Sequence, residues 1–165
     1  MSVSITPMTL ADYDEVYALW TRTPGLYVGP NDSRERIGAY LAQNPGMSVV
    51  AREEGRLVGA MLAGHDGRHG LLHHLAVDDS ARRRGIARRI VEAALARLRE
   101  AGMRSAQAVV YADNETGLAF WRTTGPHATG ELKVFYLPLD PAERARNAAA
   151  AAPPATRPAA PDPDA

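Results

Sequence analysis

Hydrophobic positions recur in two rhythms along this chain, one of alternate residues and one of three to four, and the changes of rhythm mark its elements. Residues 3–8 read as a short strand, and Thr9-Leu10-Ala11-Asp12 as a helix start of the capping-box kind. The helix that follows carries Tyr13, Val16, Tyr17 and Trp20 at core-facing spacing. A glycine-rich loop over 25–32 leads to a second helix that ends before Pro45. Residues 47–52 and 57–65 read as strands joined at Glu54-Gly55, and Asp66-Gly67 introduces a third strand over 71–77. Ile86, Ile90, Val91, Ala94, Leu95 and Leu98 make the clearest helical stripe in the chain, closed by Gly102. A strand over 105–111, a short helix over 114–123 and a final strand over 132–139 complete the series, which predicts a mixed α/β domain.

The length, 165 residues, suits one domain with a proper core. We expect that domain over residues 1–142, followed by an Ala/Pro-rich disordered tail over 143–165. The last 18 residues hold nine alanines and five prolines, too little apolar surface to offset the entropy of ordering. No internal repeat is visible. No run approaches the length of apolar residues that a membrane span needs, and the first residues lack the layout of a secretory signal. A soluble, cytoplasmic protein is therefore expected. Nineteen basic and 19 acidic side chains cancel, which argues against a nucleic-acid partner. The absence of cysteine excludes disulfides, thiolate metal sites and cysteine nucleophiles. Eighteen of the basic residues are arginine, a bias of composition, so only their position carries information.

Position singles out one segment, where the strand His73-His74-Leu75-Ala76-Val77 enters a turn and Arg82-Arg83-Arg84-Gly85-Ile86-Ala87 opens directly into the amphipathic helix. The first amides of a helix are unpaired and lie at the positive end of its dipole. Small residues at 85 and 87 let a ligand approach the backbone, and the arginines add charge, a combination suited to a pyrophosphate. The Walker loop and the three-glycine dinucleotide fingerprint are both absent. On local chemistry alone, a merely solvated first turn remains open.

The spacing Arg82-x-x-Gly85-x-Ala87 after Leu75-Ala76-Val77 resembles the pyrophosphate motif of the GCN5-related N-acetyltransferases, the GNAT family. The stretch Asn114-Glu115-Thr116-Gly117-Leu118-Ala119-Phe120-Trp121 resembles that family's later motif, and the order of elements from 3 to 139 is similar as well. The resemblance implies a mostly antiparallel central sheet flanked by helices, with acetyl-CoA as cosubstrate, no metal, and direct acetyl transfer to a primary amine of a small molecule or peptide. It implies that the backbone of Arg82, Arg83, Arg84, Gly85, Ile86 and Ala87 holds the pyrophosphate. Leu75, Ala76 and Val77 would pair with pantetheine where two strands splay apart. The Leu75 amide would stabilise the oxyanion, and Asn114 and Phe120 would line the far side of the groove. Homodimers are frequent in the family.

Two of the family's proton-handling positions are altered. The glutamate often found five residues before Asn114 is Val109, and a tyrosine that often protonates the leaving thiolate is Trp121. A thiol of pKa about 8.5 leaves tolerably without help, and Tyr111 or Tyr136 are substitutes. Strand alternation sets His73, Leu75 and Val77 on one face and His74 and Ala76 on the other. Family bases four or six residues before the valine point to His73, an imidazole suited to neutral pH. A satisfied sheet-face histidine is the alternative. On the acceptor side the family's architecture points to Tyr27, Asn31, Asp32, His65 and Asp66, although Asp32 also reads as a helix cap and Asp66 as a turn residue. His65, His69 and His73 lack a known metal-ligand spacing. The readings that compete with the enzyme are a catalytically silent acyl-CoA-binding module and an adaptor using its arginines.

Overall fold

The computed structural model describes residues 2–124 and 139–142. The chain divides into two compact units, Met1–Leu118 and Ala119–Ala165. The tail expected over 143–165, and all of the final strand expected over 132–139 except Leu139, lie outside the described residues, as does Tyr136.

The first unit is built on five strands: β1 (Val3–Pro7), β2 (Val49–Glu53), β3 (Arg56–His65), β4 (Gly70–Val77) and β5 (Ala106–Ala108). They lie side by side in chain order. The first four are antiparallel, and β5 joins β4 in parallel after a helical crossover. The helices are α1 (Tyr13–Arg22), α2 (Arg34–Gln43), α3 (Ile86–Glu100) and α4 (Glu115–Thr123), the last running across the unit boundary. The capping signal before α1 is real: the Thr9 amide donates to Asp12 Oδ2 at 2.8 Å, over a single 3₁₀ turn. Glu54 and Gly55 both take left-handed φ, as a two-residue hairpin requires.

Every residue of β3 from Leu57 to Gly64 is buried, because helices cover both faces of the sheet. On one face Val50, Leu57, Ala60, Leu62 and Ala76 pack with Tyr13, Val16, Leu19 and Trp20 of α1 and Ile37 of α2. Leu19 takes the core position expected of Tyr17, which turns to the rim and stacks on Tyr13. On the other face lie Ile86, Ile90, Val91, Ala94 and Leu98 of α3. That helix comes so close that a Cβ at Gly59 would lie 2.7 Å from Ile90 Cδ1.

Two expectations are corrected. The strand predicted over 105–111 is only three residues long, because β5 has a ladder partner only along Gly70, Leu71 and Leu72; beyond it Val109 is 67% exposed. The even alternation along β4 also fails. Ala60 pairs with Ala76 and Leu62 with His73, so three steps of β4 oppose two of β3. The extra residue is a β-bulge, with His74 at φ +55°. His73 consequently shares the α1 face with Ala76, while Val77, paired with Gly59, faces α3.

Ile90 has no exposed surface. Ile90→Ala is expected to lower stability by about 2–5 kcal/mol, measured by urea unfolding; a loss far below this would mean that α3 packs loosely on the sheet.

Candidate active site

Beyond β4 the chain makes a 3₁₀ turn (Asp79–Ala81) and then a short loop into α3. Arg83 (φ +59°) and Gly85 (φ +75°) are both left-handed, and space is open where a Gly85 side chain would stand. Gly85 is the N-cap and offers no side chain to the first turn, which also contains no acid. The first helical bond runs from Arg89 N to Gly85 O (3.1 Å), so the amides of Ile86, Ala87 and Arg88 precede it. Backbone of this shape, with unpaired amides at a positive helix end, is a receptor for an anion.

The loop is held by side chains rather than left to solvent. Asp78 accepts from Arg22 (2.9 Å), Arg56 (3.5 Å) and the Ser80 amide (3.2 Å), while its own amide donates to Val58 O. The Ser80 hydroxyl and the Arg22 guanidinium hold the Asp78 carboxyl well below the usual carboxylate range, although burial works the other way. Arg84 grips the buried Glu53 with both terminal guanidinium nitrogens, and Arg82 reaches Val77 O and Asp79. Two of the three arginines thus have their charge balanced by acids of the chain itself. Arg83 and Arg88 are exposed.

Among the described residues β5 covers the edge of β4 only as far as Leu72, so Leu75, Ala76 and Val77 lie on an open stretch of strand edge. Just before them the bulge gathers three polar groups on the α1 face. His74 Nε2 lies 2.9 Å from Asp32 Oδ1, and its ring meets Trp20 edge-on, with centroids 4.9 Å apart. Asp32 is 9% exposed; Oδ2 accepts from the Gly29 amide and the backbone carbonyl from the Tyr13 hydroxyl. Burial tends to raise the Asp32 carboxyl, but His74 and the Gly29 amide together keep it below the ordinary value. His73 is half-buried; desolvation and the neighbouring His74 push its pKa down, against the pull of Asp32.

The other sequence candidates are scattered. Asn114 spends its side chain within the protein: Oδ1 accepts from Gly117 N to cap α4, and Nδ2 donates to Gly25 O. Asp66 accepts from the amides of Arg68 and His69 and so shapes its own loop. Tyr27 is 50% exposed against Gly29, and Asn31 is exposed. The cap of α2 is Ser33, not Asp32. Phe120 lies in the second unit, edge-to-face with Trp121 at 5.3 Å. Among the described residues no three His, Cys, Asp or Glu side chains come together as a metal site would need.

Sequence reasoning did not pair His74 with Asp32 or Arg84 with Glu53. Nothing in the pattern signals the bulge, since His74 is neither glycine nor asparagine, and Glu53 reads simply as the end of a strand.

A family model described as the acetyltransferase (GNAT) family matches residues 13–125. An acetyltransferase of Sodalis glossinidius (strain morsitans) is 30% identical over 110 residues, 67% of this chain and 77% of that one. Among solved structures, AAC(6')-Iy in complex with a bisubstrate analogue is similar in fold, with a TM-score of 0.68 at 21% identity over 84% of this chain and 99% of that one. The PaiA N-acetyltransferase from Thermoplasma acidophilum in complex with coenzyme A gives 0.68 at 15% identity, over 76% and 89%.

Because Asp78 binds a proton less readily in the fold than in the unfolded chain, where a carboxyl titrates near about 3.9, its stabilisation is complete above about pH 4 and drains away as pH falls below it. Asp78→Asn is expected to lower stability at neutral pH and to flatten the acid limb of the stability curve from urea unfolding. An acid limb as steep as the wild type's would show that Asp78 does not anchor the loop.

Proposed function

The chain belongs to the acetyltransferase (GNAT) family and is an acetyl-CoA-dependent N-acetyltransferase; we propose that the continuous segment from His73 to Arg88 carries its chemistry. One observation supports this above others: among the described residues an open strand edge leads, through one short loop, to a helix start with no side-chain cap and no acid in its first turn. The resident groups fit a thioester on a pyrophosphate-bearing arm, and acetyl-CoA, when bound, supplies an acetyl group activated for transfer.

The amides of Ile86, Ala87 and Arg88, with the left-handed backbone at Arg83 and Gly85, hold the pyrophosphate. Arg82 and Arg84 serve through their backbone, since their side chains are engaged by Asp79 and Glu53. Arg83 and Arg88 are the guanidinium groups left to face phosphate oxygens. Ala76 and Val77 offer their backbone to the pantetheine arm as a neighbouring strand would. The Leu75 amide donates to the thioester carbonyl oxygen, where negative charge develops. His73, biased towards its neutral form by burial, accepts the proton that the acceptor ammonium must lose.

Asn114 shapes the groove by tying Gly25 to the start of α4. Tyr27, Asn31 and Asp66 face the acceptor, a primary amine of a small molecule or a peptide. AAC(6')-Iy and PaiA, which carry CoA-type ligands, support the cosubstrate side of this reading. No helix among the described residues is long and apolar enough to cross a membrane, which is consistent with the cytoplasmic setting we propose.

Calorimetric titration with acetyl-CoA, with desulfo-CoA and ATP as controls, tests the placement. Wild-type protein is expected to bind acetyl-CoA in a way that ATP does not mimic. Gly85→Val, which forces a β-branched residue to φ +75°, is expected to weaken binding about tenfold or more, roughly 1.4 kcal/mol. Unaltered affinity in that variant would move the pyrophosphate elsewhere. His73→Ala is expected to lower kcat roughly a hundredfold with acetyl-CoA affinity intact; an unchanged kcat would remove His73 as the base.

A further inference from the structure

Neighbouring residues of a strand point to opposite faces, so adjacent histidines ordinarily have separate surroundings. The bulge in β4 removes that separation. His73, paired with Leu62, and His74, pressed against Trp20, both lie on the α1 face. His74 holds a left-handed backbone at φ +55°, a conformation that costs a residue with a side chain and persists only where the surroundings enforce it. A carboxylate is brought to them from another element: Asp32, at the end of the 3₁₀ turn Pro30–Asp32, sets Oδ1 2.9 Å from His74 Nε2.

The surroundings of this group are partly buried and sparingly charged. Asp32 is buried, and so is Trp20, whose Nε1 has no hydrogen-bond partner among the described residues. His74 Nε2 and Asp32 Oδ1 are close enough to form an ion pair when the ring carries a proton. From α1 the Tyr13 hydroxyl donates to the Asp32 carbonyl; from α2 Arg34 lies over the Tyr13 ring but pairs with Asp14. The other contact of the Asp32 carboxylate is the neutral Gly29 amide.

We propose that His73, His74 and Asp32 form one proton-binding unit on the acceptor side of the reaction, with Asp32 as its positioning residue and counter-charge. This rests on the acetyltransferase reading of the same segment. Two imidazoles and one carboxylate in a buried setting are electrostatically coupled. A first proton on either ring is stabilised by Asp32, and a second is opposed by the first, so the three groups bind protons jointly rather than independently. In the reaction an N–H bond of the acceptor ammonium breaks, its electron pair stays on nitrogen, and the proton passes to an imidazole nitrogen. The unit thereby goes from one net negative charge to none, and water later carries the proton away. His73 is the ring that receives it; His74 and Asp32 act through His73.

The test is a ¹⁵N NMR titration of the imidazoles in the full chain, from about pH 5 to about pH 9 to bracket ordinary histidine behaviour. Asp32→Asn removes the charge but keeps an oxygen for the Gly29 amide, and His74→Asn places a residue that tolerates left-handed backbone. In the wild type the two histidines are expected to titrate in separate, coupled steps. Asp32→Asn should lower the upper midpoint by about one pH unit or more, and in His74→Asn the His73 midpoint should rise. Where His74→Asn fails to fold, His73→Gln serves instead, with the His74 midpoint expected to rise. Independent titrations with midpoints unmoved by Asp32→Asn would overturn the unit. Calorimetry with acetyl-CoA on the same samples separates the two failures. Binding retained in Asp32→Asn beside a shifted midpoint supports the proposal. A wild type that binds no acetyl-CoA overturns the site assignment, and with it the unit's part in the reaction, whatever the titration shows.

Discussion

A single inserted residue in β4 governs much of what this molecule can do. Between the pairs Leu62–His73 and Ala60–Ala76 the ladder must accommodate three steps against two, and it does so by turning His74 into the left-handed region. A bulge bends its strand and sharpens the local twist. Among the described residues β5 pairs with β4 only through Leu72, and the edge from Leu75 to Val77, beyond the bulge, is where we propose that a ligand arm lies. The same insertion turns His73 and His74 to a common face and brings the second of them to Asp32. The backbone donor and the proton acceptor that we propose both lie beside this one break in register.

The loop that follows has the opposite requirement, to hold its shape without a regular ladder. Its rigidity comes from carboxylates. Asp78 gathers Arg22, Arg56 and Ser80, and Glu53 takes Arg84 from the far end of a hairpin. Such pairs contribute little net stability when half exposed, but each fixes a distance between elements that apolar packing would leave free. The outcome for the anion site is indirect. On the proposal made here, Arg82 and Arg84 act by placing backbone amides, and the helix start itself supplies much of the positive field.

Local physics made much of the fold legible beforehand. The stripe from Ile86 to Leu98, the capping pattern at Thr9, and the turn at Glu54-Gly55 each depend on residues within a few positions of one another, and all appear in place. The arginine turn was visible for the same reason, because helix-start chemistry and glycine spacing are properties of a short segment. Tyr17 has a spacing suited to the core, yet Leu19 is the residue buried there and Tyr17 lies at the rim.

What the sequence by itself determined, then, was the order and kind of the elements as far as α4, a helix start whose chemistry suits an anion, and the two imidazoles on the strand before it. The partners of those groups were decided only in three dimensions. Whether His73 and His74 share a face depends on how β4 is counted against β3, and the same residues in an unbulged strand would be separated. Whether Arg84 faces solvent or Glu53, and whether Asn114 contacts a ligand or Gly25, depends on residues 31 and 89 positions away. The energy that selects these pairings arises when distant segments exclude water together, and no window of neighbouring residues contains it.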